Sequence, residues 1–165
     1  PSLILSADKD LSQLLGEHDV QWDYAKNERW QLAGVKAKHG VHAHQLADYL
    51  GLTGDAVDNI PGVPGIGPKT AATLLSHFGS LDALLEKLDE VPYLRLRSAA
   101  QHAARLREHR EMALLCRKLA TIRCDAPMPD DHNDGVRQAT DTPALTALIE
   151  QLRFGPLTRR RLLSL

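Results

Sequence analysis

The stretch Pro61-Gly62-Val63-Pro64-Gly65-Ile66-Gly67-Pro68-Lys69-Thr70-Ala71 constrains the chain more than any other. Its density of glycine and proline rules out a continuous helix or a central strand. The flanks are helical in pattern. Upstream, Leu46 and Leu50 stand one helical turn apart; downstream, Ala71, Leu74, Leu75 and Phe78 form one apolar face that stops at Gly79. The stretch is therefore a tight connection between two helices. Glycines in it permit positive φ and leave bare backbone toward a ligand. Pro68 suits a first helical turn, so the second helix opens there. Its free N–H groups and positive dipole end face the connection, where a phosphate fits. Lys69 and Thr70 add a charge and a hydroxyl in that first turn. Contacts of this kind grip a backbone and carry no base sequence.

Residues 63–71 read apolar-Pro-Gly-apolar-Gly-x-Lys-Thr-Ala. They resemble the helix-hairpin-helix motif of DNA repair and replication proteins. On that reading Gly62, Gly65, Gly67, Lys69 and Thr70 touch the DNA. A nucleotide P-loop fits less well. Gly62 and Gly67 have the right gap, but Pro68 intervenes before Lys69-Thr70 and no strand precedes the loop. An ordinary Gly/Pro turn explains the composition but not the order of the residues.

The rest of the chain reads as mostly helical with two or three strands. A buried strand is expected over 2–6, a short helix from Leu11, a second strand over 20–24 and a brief one at Trp30. A helix over 32–39 ends at Gly40, and a shorter one over 43–50 ends at Gly51. Ser80 caps a helix over 81–88, and Pro92 breaks the chain. One or two helices fill 94–120, a polar loop spans 125–140, and helices follow over 143–152 and 156–163. The 165 residues include 43% hydrophobic and 25% charged ones, which excludes a disordered chain. No apolar run reaches the ~20 residues that span a bilayer, and no membrane partner or obligate protein partner is evident. Two cysteines make no disulfide framework, so a reducing cytoplasm is the simplest home, beside the nucleoid if the source is bacterial. Net charge is −1, so any nucleic-acid contact must come from local distribution: acids at Asp8, Asp10, Asp55 and Asp58, basic residues dense over 95–123 and at Arg159, Arg160 and Arg161.

Asp8 and Asp10 follow the first strand, on one side of an extended chain. Asp55 and Asp58 lie just ahead of the hairpin, spaced for one side of a helical turn. Hard divalent cations take carboxylate oxygens and retained waters. Paired carboxylates beside a phosphate grip suit a metal-dependent phosphodiesterase. Taken singly, each aspartate is better explained by a cap or a turn, since aspartate is common in both.

Three segments carry a wider likeness: Ile4-Leu5-Ser6-Ala7-Asp8-Lys9-Asp10-Leu11-Ser12-Gln13-Leu14, then 54–59, then the hairpin. It continues through Leu119-Ala120-Thr121-Ile122-Arg123 and Leu152-Arg153-Phe154-Gly155-Pro156-Leu157. Together, and in this order, they resemble the 5′–3′ exonuclease and flap endonuclease family, which includes the nuclease domain of bacterial DNA polymerase I. The resemblance implies a structure-specific DNA 5′ nuclease using Mg²⁺ or Mn²⁺, acting on double-stranded or branched DNA. It implies that Asp8, Asp10, Asp55 and Asp58 hold the second of two metals, and that the carbonyls of Val63 and Ile66 bind K⁺ at the hairpin. It also implies that the chain is a C-terminal portion. The family's first-strand aspartate, further acidic cluster and threading arch would precede Pro1. The expected fold is then residues 1–40 as the edge of an α/β nuclease core, whose N-terminal half is absent, and 41–165 as a helical DNA-binding region. A helix-hairpin-helix module without chemistry is the alternative. It gives no reason to set four aspartates near a polyanion.

Weaker signals point elsewhere. His39, His42 and His44 form no oriented ligand set and read as surface residues. Trp22 and Trp30 read as packing under the strands.

Overall fold

The computed structural model of the chain describes residues 1–127 and 139–164. The polar stretch expected to be a loop lies outside the described residues from 128 to 138. The chain divides into two compact units, Pro1–Cys124 and Asp125–Leu165.

The first unit opens on a three-stranded sheet in the order β1-β2-β3, formed by β1 (Leu3–Leu5), β2 (Val20–Asp23) and β3 (Glu28–Trp30). β1 and β2 are parallel, with Ile4 opposite Gln21; β2 and β3 are antiparallel, with Trp22 opposite Arg29. Between β1 and β2 runs a 3-10 helix over Lys9–Leu14, capped by Asp8. Helix α1 (Leu32–His39) ends at Gly40, whose φ of 74° supplies the left-handed cap read from the sequence. A small apolar cluster of Leu15, Val35 and Ala43, joined by Ile4 and Trp30, holds these elements together.

β2 buries the opposite face from the one its aromatic residues suggested. Gln21 and Asp23 are inside, while Trp22 lies half-exposed with Tyr24 against its edge and Arg29 over its ring. The buried glutamine is tied up completely, as described below, which is what makes a polar inner face tolerable.

The main core belongs to α2 (Leu46–Thr53), α3 (Pro68–Phe78), α4 (Leu81–Glu86), α5 (Ala99–Glu108) and α6 (Arg110–Ala120). Leu46, Leu50, Leu52, Leu74, Leu75, Leu81, Leu84 and Leu106 are fully buried in it. α2 does not stop at Gly51; it runs on to Thr53 and is capped by Gly54. A Cβ on Gly51 would stand 2.9 Å from Arg117 Cβ and 3.1 Å from the Ala113 carbonyl oxygen. This glycine is there to let α6 approach, and the terminator is three residues further on. Arg117 of α6 then ties the bundle together, bonding Asp82 at 2.6 Å and Asp48 at 3.3 Å.

The second unit contains α7 (Thr142–Gln151) and α8 (Pro156–Leu163). Asp141 caps α7 by accepting from the Ala144 N–H at 2.9 Å. Arg153 turns the chain between them with φ 53°. Among the described residues, no helix is long and apolar enough to cross a membrane.

Candidate metal centre and nucleic-acid interface

The 3-10 helix after β1 presents the first acids. Asp8 is exposed, and its side chain accepts from the Asp10 N–H at 3.0 Å. Asp10, two residues on, is turned inward and buried. Gln21 sets this loop. Its amide donates to the Asp8 carbonyl at 2.6 Å and the Ser6 carbonyl at 3.1 Å, and accepts from the Ser12 hydroxyl at 2.6 Å. Ser12 in turn accepts from the Trp30 indole at 3.0 Å. From the far end of the same 3-10 helix, Gln13 donates to the Ala120 carbonyl at 2.8 Å, which joins the loop to the end of α6.

The second pair stands on the loop between α2 and the hairpin. A two-residue bridge closes it, Asp55 and Ile60 exchanging both backbone hydrogen bonds at 2.8 Å. The Asp55 side chain is buried and accepts from the Val57 N–H at 3.0 Å; Asp58 is exposed.

These loops meet. Asp10, Asp55 and Asp58 each bring a carboxylate oxygen to one place, all within 4.8 Å of one another, although the chain separates Asp10 from Asp55 by more than forty residues. Asp8 is not in this group; its carboxylate is occupied as the cap of the 3-10 helix. Lys9 lies among the three. Its ammonium bonds Asp55 and stands 3.7 Å from Asp10 Oδ1. Burial alone would lower the Lys9 pKa, but the bond to Asp55 and the charges of Asp10, Asp55 and Asp58 raise it. Burial pushes Asp10 up, Lys9 opposes, and the neighbouring carboxylates add to the rise. Burial also acts on Asp55, but Lys9 and the Val57 N–H outweigh it and hold its carboxyl below the usual range.

The donor set fits a hard divalent cation. Three carboxylates against one ammonium formally leave two negative charges, and Asp10 Oδ1 is buried with no hydrogen bond. Lys9 is a cation already seated where an ion would go. Sequence reasoning quoted Lys9 without giving it a role and passed over Gln21. The one available signal was the polar alternation of β2, Gln21 and Asp23 against Val20 and Trp22.

The hairpin adjoins this centre through glycine. A Cβ on Gly62 would stand 2.3 Å from the Gly54 nitrogen, so the backbones on either side of Asp55 and ahead of Val63 touch. The Val63 N–H also bonds the Leu52 carbonyl at 2.8 Å. Gly62, expected among the DNA-contacting residues, is buried in this contact. Its φ of 68° and its missing side chain serve the joint between the two loops. Gly65 is exposed with φ 77°, and the turn closes with the Ile66 N–H on the Val63 carbonyl at 3.0 Å. Val63 and Ile66 bury their side chains in the core. Gly67 opens α3 with Pro68 in its first turn, and no side chain caps the first N–H groups. Lys69 is exposed and Thr70 half-exposed on that turn. The histidines lie outside the carboxylate group: His42 and His44 stack on each other, centroids 5.5 Å apart, and His39 meets Tyr49 edge-on.

The family described as "5′-3′ exonuclease, C-terminal SAM fold" matches residues 41–143, more than half of the chain. The chain belongs to the 5′–3′ exonuclease family. Within that family it is 42% identical over 156 residues to DNA polymerase I of Bacillus caldotenax, which covers 92% of this chain and 17% of the relative. It is 44% identical over 122 residues to the flap endonuclease Xni of Pectobacterium carotovorum, covering 74% of this chain and 44% of that protein. The chain thus spans less than half the length of either relative. Among solved structures, T5 5′-exonuclease with bound divalent zinc ions aligns over 72% of the chain and 42% of its own, at a TM-score of 0.59 and 24% identity. The catalytic core of Rad2 in complex with DNA substrate aligns over 97% of the chain and 55% of its own, at a TM-score of 0.58 and 15% identity. At these identities the likeness is one of fold: this 5′–3′ exonuclease family chain has the 5′-nuclease architecture in its helical part.

Proposed function

We propose that this chain is the duplex-gripping and partial metal-binding portion of a structure-specific DNA 5′ nuclease, a flap endonuclease or 5′–3′ exonuclease. The observation that carries the reading is the joint between the two sites. The Asp10, Asp55 and Asp58 oxygens converge, and the loop that carries Asp55 and Asp58 packs backbone to backbone against the start of the hairpin at Gly54 and Gly62. A phosphate-gripping loop is thereby held at fixed register to a cluster of acids. A pure binding module has no use for that cluster, because each carboxylate repels DNA unless a cation intervenes.

Asp10, Asp55 and Asp58 would hold Mg²⁺ or Mn²⁺, with Asp8 reaching it after release from its cap. A divalent ion there supplies charge stabilisation for phosphodiester hydrolysis. Lys9, which now pairs with Asp55 and Asp10, would give up these contacts to the ion. Gly65, Gly67, Lys69 and Thr70 take the DNA backbone, and the carbonyls of Val63 and Ile66 offer oxygens for K⁺. A DNA substrate fits a cytoplasmic home, beside the nucleoid if the source is bacterial. Support comes from the family, whose members include a flap endonuclease, and from structural neighbours solved with metal ions and with DNA.

Mn²⁺ titration of the chain, followed by the loss of the free-ion paramagnetic signal, tests the centre. Binding that saturates at one ion and disappears in Asp55→Asn is expected. Mn²⁺ uptake indifferent to Asp55 removes the proposal.

A further inference from the structure

We infer that Arg105, on α5, is a further DNA-backbone contact of the hairpin, seated against Gly65 to take a phosphodiester oxygen. The inference rests on the reading of the hairpin as a duplex grip and adds to it a residue far outside the motif. The starting observation is how near the guanidinium lies. A Cβ built on Gly65 would fall 1.5 Å from Arg105 Nη1 and 2.6 Å from its Cζ. The side chain therefore occupies the very space that the missing side chain of Gly65 leaves open. Gly65 is exposed, so the group lies at the surface of the turn and not beneath it.

The arginines around it are otherwise engaged. Arg107 pairs with Asp89, Arg110 donates to the Leu85 carbonyl at 2.8 Å, and Arg117 bridges Asp48 and Asp82. Arg105 is half-buried, and among the described residues it has no carboxylate partner and no side-chain hydrogen bond. A partly desolvated guanidinium without an anion is costly, and the cost falls when one arrives. The setting makes the want of an anion sharper. Two residues after Gly65 comes Gly67, which opens α3 with its N–H groups uncapped, and Lys69 follows on the first turn. A helix N-terminus and an ammonium on this short turn, with a guanidinium packed against it, repel one another unless a negative group lies among them. A guanidinium presents a planar fork of donors that suits phosphate oxygens. The anion that fits this and the hairpin together is the DNA backbone.

The test is binding of a fluorescent duplex by the whole chain over a range of salt concentrations, for wild type, Lys69→Ala, Arg105→Gln and Arg105→Lys. Circular dichroism melts accompany each protein. Arg105→Gln is expected to weaken binding about tenfold at low salt, alike on unrelated sequences. It should also reduce the slope of log affinity against log salt by about 0.9, one phosphate contact. Arg105→Lys keeps the charge and hence the slope, but loses affinity several-fold with the fork. A role confined to folding would shift the melt and leave the slope alone. If Arg105→Gln matches wild type in slope and affinity while Lys69→Ala lowers both, the inference is overturned and the hairpin reading stands. If the wild-type chain shows no salt-dependent duplex binding, both fall. Should the glutamine variant fail to fold, the lysine variant decides: weaker binding at an unchanged slope supports the contact, and wild-type affinity overturns it.

Discussion

At the scale of single residues the centre is a balance of charges, and the balance predicts opposite effects on stability and binding. Asp10 is buried, faces two other carboxylates and has an oxygen with no hydrogen bond. Its pKa is raised, by burial first, so the fold penalises the charge on this side chain. Asp10→Asn should therefore raise the melting temperature in EDTA. The same variant should lose the stabilisation by Mn²⁺, which for the wild type reaches about 2.7 kcal/mol at a hundredfold excess over Kd. Thermal melts with and without Mn²⁺ read both effects, and a variant less stable in EDTA contradicts the account. Gln21 acts through others. Gln21→Leu frees the Asp8 and Ser6 carbonyls and the Ser12 hydroxyl at once. A cost of roughly 1–3 kcal/mol is expected from the unsatisfied groups, with Mn²⁺ affinity lower by about 10–100-fold as the loop loses its aim. Denaturant melts and Mn²⁺ titration check the two parts. The sequence made the carboxylates legible because they stand in motifs. It did not show that Asp8 spends its carboxylate on a cap while Lys9 and Asp10 point at the centre. That choice depends on Gln21 reaching back from β2, a contact with no local signature.

At the scale of elements, glycine separates what the sequence discloses from what it hides. Gly40 and Gly79 end α1 and α3 with φ of 74° and 84°, as their places after apolar helical faces predicted. Gly51 looks the same in sequence and has the opposite use. It lies inside α2, where α6 passes close enough that a Cβ would meet the Ala113 carbonyl and the Arg117 backbone nitrogen, each at 3.1 Å. Gly51→Ala sets two effects against each other. Helix propensity favours alanine by about 1 kcal/mol, whereas forcing a methyl onto packed backbone costs about 1–3 kcal/mol. The contact is with main chain, which cannot rotate away, so the clash should win and the variant should be net destabilised in urea melts. A more stable variant would mean that α2 and α6 separate readily. β2 shows the same limit from another direction. Its alternation is visible, but which face turns inward is settled by the Gln21 network and not by the hydrophobicity of Trp22 and Tyr24.

At the scale of the molecule, the acid cluster and the hairpin are joined through Gly54 and Gly62, and yet the acids are few. Among the described residues one group of three carboxylates converges, Asp10, Asp55 and Asp58, enough to seat one ion. Hydrolysis by two metals requires charge at both the attacking and the leaving oxygen, from ions ~3.5–4 Å apart. A second ion needs further ligands, and Asp8 alone, even freed from its cap, does not provide them. The matched relatives are longer, this chain covering 17% of the polymerase and 44% of the flap endonuclease. The 165-residue chain by itself is therefore expected to bind duplex DNA and not to cut it. Incubation with a labelled 5′-flap substrate and Mg²⁺ or Mn²⁺, against an EDTA control, checks this. The exposed edge of the sheet points the same way: Leu3 and Leu5 of β1 are 55% and 62% exposed, an apolar strand open to a neighbour. Joining the chain to the N-terminal portion of a family member should cover that edge and bring further acids to the centre. Cleavage should then appear, and Asp58→Asn in the joined protein should slow it. Reproducible EDTA-sensitive cutting by the pure 165-residue chain would show that one ion held by Asp10, Asp55 and Asp58 suffices.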